Sequence, residues 1–141
     1  MNPTAQPDNR PQGRRLNENI RILVVDDNVG SAKLLATLLG YMGPYEVDVA
    51  HDGPTVLEKI TSFQPDAVLL DIGLPGMDGY AVGREIRQNP ENDNMLLVAL
   101  TGHSMPEYKQ RSMDTGFDLH LVKPPSVQML QDVLAHPKLT G

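Results

Sequence analysis

From residue 20 onward, apolar and polar positions follow two alternating rhythms. "IRILVV" (20–25) is an apolar, β-branched run ending in Asp26-Asp27, which marks a strand. "VGSAKLLATLLGYM" places Leu34, Leu35, Leu38 and Leu39 at helical spacing and predicts a helix with all four on one face. "YEVDVA" (45–50) alternates as a half-exposed strand does. "GPTVLEKITSF" sets Val56, Ile60 and Phe63 at i, i+4 and i+7, with Pro54 near the start of a second helix. "DAVLLDI" reads as a strand buried on both faces, and "DGYAVGREIRQ" as a third helix weakened by Gly83. "LLVALTG" (96–102) is another buried strand. "PEYKQRSMDTG" is a polar, exposed helix closed by Gly116. "LHLV" is a fifth strand ending at Lys123, and "SVQMLQDVLA" is a short last helix.

Five β–α units with short connections predict an α/β fold: a five-stranded parallel sheet flanked by five helices, doubly wound. The second strand is the most polar and the first and third the most apolar, which puts the second at an edge, in the order 2-1-3-4-5. Ligands of such sheets bind outside the carboxyl ends of the strands, where strand order reverses, here between strands one and three. Residues 1–19 carry Pro3, Pro7 and Pro11 and almost nothing apolar, and read as a flexible tail or linker before a domain at 20–141.

Composition narrows the function classes. At 141 residues, with 40% hydrophobic and 21% charged content, the chain is one ordinary globular domain. A net charge of -6 argues against a nucleic-acid or anionic-membrane surface, both of which want clustered Lys and Arg. The absence of cysteine excludes disulfides, thiol catalysis and a Cys-based zinc site, and suits the cytosol. No apolar run approaches the ~20 residues of a membrane span, and the N-terminus lacks a signal-peptide segment.

The chemistry collects at the strand ends. Strand one ends in Asp26-Asp27, strand three in Asp71, strand four in Thr101-Gly102 and strand five in Lys123-Pro124. Parallel strands bring these ends to one edge. Three carboxylates repel unless they share a cation, and magnesium suits a shallow, open, all-oxygen site better than calcium. A lysine beside them would serve an incoming anion such as a phosphoryl group. Thr101 adds a hydroxyl, and Gly102 lets backbone approach closely. These residue types point to a magnesium-dependent phosphoryl site with a carboxylate nucleophile. Read alone, Asp26-Asp27 could cap a helix and Asp71 could open a turn. Asn28 and Ser31 are available for the cap, however, and the loop after Asp71 already holds Gly73, Pro75, Gly76 and Gly79.

The motifs "VVDDN", "LLDIGLPGMDG", "ALTG" and "LVKP", in this order and spacing over about residues 20–136, resemble the receiver domain of a two-component response regulator. "LLDIGLPGMDGY" and "HLVKP" are similar to receivers at the ends of hybrid sensor histidine kinases. The resemblance implies a flavodoxin-like fold and a role for each matching position. On that resemblance Asp71 would be the phosphoacceptor, taking its phosphoryl group from a sensor histidine kinase or a histidine phosphotransfer protein. Asp26, Asp27, Asp71 and the carbonyl of Gly73 would hold Mg²⁺, while Lys123 and Thr101 would bind the phosphoryl group. The Lys123–Pro124 bond would be cis, as in the family. Helix four, strand five and helix five form the responding surface, and the polar fourth helix leaves a homodimer open.

Two histidines qualify the resemblance. His120 stands three residues before Lys123, where many receivers carry Tyr or Phe as the partner of the threonine movement. His103, two after Thr101, overlooks the site and is a candidate modulator of dephosphorylation. His51 and His136 read as surface residues. A phosphohydrolase of the haloacid-dehalogenase type would need a second acid two residues after the nucleophile, where Gly73 stands. A pseudo-receiver that binds partners without phosphorylation stays open.

Overall fold

The structure, a computed structural model, describes residues 19–73, 78–102, 110–111 and 113–140. Five strands, β1 (Arg21–Val25), β2 (Glu46–Ala50), β3 (Ala67–Asp71), β4 (Leu96–Thr101) and β5 (Leu119–Val122), form one parallel sheet in the order β2-β1-β3-β4-β5. This is the expected order. β3 and β4 are buried along their whole length, while β2 at one edge and β5 at the other are mostly half-buried. The interior strands read as continuous apolar runs because helices cover both faces.

The helices are α1 (Val29–Tyr41), α2 (Gly53–Ser62), α3 (Gly79–Arg87), α4, of which residues 110–111 and 113–114 are described, and α5 (Val127–Leu134). α2 and α3 pack Val56, Tyr80, Val82 and Ile86 against one face of the sheet. α1 and α5 bring Ala32, Leu39, Leu130 and Val133 to the other. Most starts are set by a short polar side chain just outside the helix. Asn28 accepts from Ser31 N, Asp52 from Thr55 N, Asp78 from Tyr80 N and Ser126 from Met129 N. Asn28 takes the first cap, so Asp26 and Asp27 are not needed for it.

The structure departs from the sequence reading in local details. Leu34 does not share a face with the other leucines of α1: it is 72% exposed, while Ala32 and Leu39 are buried. On a helix of 3.6 residues per turn it lies roughly opposite Ala32, so only part of the leucine set can face the sheet. Two short elements went unanticipated, a 3₁₀ turn at Pro90–Asn92 and a final helical turn, α6 (Pro137–Thr140), each opening on a proline. Gly83 has a packing reason, because a Cβ there would come 2.5 Å from the ring of the buried Phe117. Gly116 adopts φ +98°, the left-handed conformation expected after α4. The expectations for residues 1–18, for Pro75 and Gly76, for His103 and for the first part of α4 lie outside the described residues. Among those described, no helix is long and apolar enough to cross a membrane.

Candidate functional site

Parallel pairing carries each site residue to the same edge. Val25 pairs with Ala50 and Leu70 with Ala99, so the residues after β1 and at the end of β3 emerge side by side. Ile72 N donates to Leu100 O (2.9 Å) and Lys123 N to Thr101 O (2.7 Å), extending the ladder just past the strand ends. Carboxylate oxygens of Asp26, Asp27 and Asp71 lie within 4.8 Å of one another. Asp26 and Asp71 are only 7% and 5% exposed, whereas Asp27 faces solvent.

The two buried carboxylates are held alike. Asp71 Oδ1 accepts from Gly73 N at 2.9 Å and Asp26 Oδ1 from Asn28 N at 2.9 Å. Their second oxygens face Lys123, whose Nζ lies 2.7 Å from Asp71 Oδ2 and 3.9 Å from Asp26 Oδ2. Burial pushes the Asp26 carboxyl above the ordinary aspartate value. The Asn28 N–H and Lys123 oppose that rise, and the charges of Asp71 and Asp27 add to it. For Lys123, burial works to lower the pKa. The hydrogen bond to Asp71 and the fields of Asp71, Asp26 and Asp27 outweigh it and hold the ammonium above its ordinary range.

The donor set fits a hard divalent cation. Three carboxylates against one ammonium leave about two negative charges in a shallow, all-oxygen site. Thr101 is buried at the end of β4, and open space surrounds the Cβ position of Gly102. His120 pairs with Ala99 and Val122 with Thr101, so His120 and Thr101 share a sheet face, offset by two residues. The Lys123–Pro124 peptide bond is cis.

Sequence reasoning misjudged two histidines and passed over one acid. His51 is half-buried with Nδ1 2.8 Å from the carbonyl oxygen of Asp26, and His136 Nδ1 accepts from Lys138 N at the start of α6. The first bond depends on tertiary placement that no local pattern announces, whereas the second is a local contact two residues along the chain, in a helical turn the sequence reading passed over. Asp66, almost fully buried at the start of β3, accepts from Arg21 N at 2.8 Å. One strand is thus bracketed by two buried acids: the Asp66 carboxylate accepts from the backbone of β1, while Asp71 faces a lysine and two further carboxylates.

The chain is a doubly wound parallel α/β protein with an acidic cluster and a lysine at the carboxyl edge of its sheet, the edge at which ligands of such sheets bind. The chain belongs to the response regulator receiver domain family, whose family model matches residues 22–135. It is 37% identical over 119 residues to the sensor histidine kinase RcsC of Salmonella typhimurium, covering 84% of this chain and 12% of that protein. It is also 37% identical over 112 residues to the response regulator MprA of Mycobacterium ulcerans, covering 79% of this chain and 47% of the relative. The chain therefore spans less than half the length of either. Among solved structures, the chemotaxis response regulator CheY4 of Vibrio cholerae superposes with a TM-score of 0.76 at 29% identity, covering 83% of this chain and all of that one. The N-terminal receiver domain of RstA from Klebsiella pneumoniae gives 0.72 at 30% identity, over 81% and 94%.

Proposed function

We propose that this receiver, residues 20–141 behind a tail at 1–19, is the phosphoacceptor of a two-component phosphorelay. On this reading Asp71 takes a phosphoryl group from the phosphohistidine of a sensor histidine kinase or histidine phosphotransfer protein. The observation that carries it is the convergence of Asp26, Asp27 and Asp71 within 4.8 Å, with Lys123 Nζ 2.7 Å from Asp71. A structural ion pair would need one acid, and this edge has three.

Asp26, Asp27, Asp71 and the carbonyl of Gly73 are the groups that would hold Mg²⁺. When bound, the ion would offset charge on the carboxylates and on the phosphoryl oxygens. In the transfer, an Asp71 oxygen forms a bond to phosphorus as the phosphorus–nitrogen bond of the donor breaks. The electron pair leaves with the imidazole, which is protonated as it departs. The Asp71 carboxylate becomes an acyl phosphate, so Lys123 loses the nearer of its two anionic partners and gains a phosphoryl oxygen in its place. Thr101, on the next strand, offers a hydroxyl to the same group. The altered charge would bias the α4–β5–α5 surface, with His120 in the position beside Thr101.

The similarity to a segment of RcsC and to MprA supports such a place in signalling, for a free-standing regulator and for part of a larger kinase alike. The acidic net charge and the lack of cysteine suit a cytoplasmic module that binds protein rather than nucleic acid.

Incubation with acetyl phosphate and Mg²⁺, followed by intact mass measurement, tests the proposal. We expect one base-labile phosphoryl adduct, lost on removal of Mg²⁺ and absent in Asp71→Asn. Beryllofluoride, the activating group of the RstA receiver structure, should bind under the same conditions. An unmodified wild-type chain, or an adduct that persists in Asp71→Asn, would overturn the assignment.

A further inference from the structure

We propose that His51 is a positioning residue of the acidic centre: its imidazole holds the carbonyl of Asp26, and with it the turn that carries Asp26 and Asp27. The inference rests on the phosphoacceptor reading above and adds a residue from the edge strand to it. Asp26 is fixed on both sides of its backbone. Its N–H donates to Ala50 O at 3.1 Å, and its carbonyl oxygen lies 2.8 Å from His51 Nδ1. A carbonyl can only accept, so this contact assigns the ring proton to Nδ1.

The Asp26 carbonyl and the Asp27 N–H belong to one planar peptide unit. Holding that oxygen therefore sets the direction in which Asp27 leaves the strand. Asp27 is the exposed member of the cluster, and it is bracketed by the two residues, Asp26 and Asn28, that are already hydrogen-bonded. Carboxylates gathered within 4.8 Å push one another apart. A donor that pins the backbone against this repulsion keeps the oxygens together before any ion arrives, which is how outer-shell groups raise metal affinity. The register makes the contact available: Ala50 is the last residue of β2 and pairs with Val25, so His51 falls beside the first residue after β1.

His51 also borders a groove of about 340 Å³ between α1 and β2, alongside Val29 and Val49. Shortening the side chain there opens no sealed cavity, so variants should fold. The test compares wild type with His51→Ala, His51→Asn and His51→Gln by calorimetric Mg²⁺ titration, by the Mg²⁺ dependence of beryllofluoride uptake and by the backbone amide resonance of Asp27. Losing the donor should weaken Mg²⁺ binding roughly three- to tenfold, with uptake at saturating Mg²⁺ unchanged and the Asp27 amide shifted. The amide of Asn reaches the position of Nδ1, so His51→Asn should recover most of the affinity and the resonance; that of Gln reaches the position of Nε2 and should not. Equal affinity and an unmoved Asp27 resonance in His51→Ala would end the proposal, as would equal losses in the Ala and Asn variants. Should wild type bind neither Mg²⁺ nor beryllofluoride, the phosphoacceptor reading fails, and the Asp27 resonance alone still decides whether His51 holds that turn.

Discussion

Asp26 shows how a single residue is kept in a state that folding disfavours. Its ionised carboxylate is buried beside Asp71 and Asp27, and burial raises its pKa despite the Asn28 N–H and Lys123. A raised folded value means that protonation stabilises the folded chain more than the unfolded one. That stabilisation is fully present below the unfolded value of about 4 and is lost as pH climbs through the raised folded value. Asp26→Asn mimics the neutral carboxyl and keeps an oxygen for the Asn28 N–H. In Mg²⁺-free buffer at neutral pH it should be more stable than wild type by about 0.5–2 kcal/mol, the usual size of one relieved defect. Thermal melts should show the gap closing as pH falls toward about 4, where wild type protonates as well. A less stable Asp26→Asn at neutral pH would contradict this account. Lys123 has its pKa raised too, so its favourable pairing is complete at neutral pH and is lost only in strong alkali.

Within elements, the sequence was readable wherever burial is decided by strand or helix period alone. The runs ending in Asp26, Asp71 and Thr101 were legible because both sheet faces are covered and, after Arg21 at the start of β1, every position is apolar until the edge. The candidate site was legible for the same reason, since a carboxylate ending such a run stands out. α1 was only half legible: its leucines exceed what one face can bury, and Leu34 points away from the sheet. Gly83 in α3 was seen as a weakness because Phe117, which packs on it, lies beyond the next strand. Gly83→Ala sets two effects against each other. The helix gains about 1 kcal/mol of propensity, while a methyl 2.5 Å from a buried ring must displace it, at about 1–3 kcal/mol. The ring belongs to the core cluster and has little room, so the clash should win by about 1 kcal/mol. Urea unfolding would reveal the sign, and a midpoint above wild type would mean that the ring moves freely.

For the whole molecule, strand order followed from polarity, because an edge strand keeps polar residues that an interior one cannot. What polarity does not disclose is how the edge opposite the site is closed. Asp118, just before β5, accepts from Leu97 N (3.0 Å) and Arg87 Nη2 (2.8 Å) on one oxygen and from Lys138 Nζ (2.9 Å) on the other. Arg87 also donates to the carbonyls of Gly116 and Asn92, and Lys138 to that of Asp93. One carboxylate thus joins the end of α3, the starts of β4 and β5, and α6. Surface ion pairs contribute little, but this pair is mostly shielded and also satisfies a backbone N–H. Asp118→Ala should therefore cost about 2 kcal/mol. Asp118→Asn, which keeps one acceptor for Leu97 N, should cost less. The clamp lies at the amino ends of the strands and the acidic cluster at the carboxyl ends. Phosphorylation of Asp71 by acetyl phosphate should therefore proceed at the wild-type rate in any Asp118 variant that remains folded. Urea midpoints and adduct formation measured on the same samples separate the two effects. A parallel loss of both would mean that stability at one edge of the sheet is coupled to chemistry at the other.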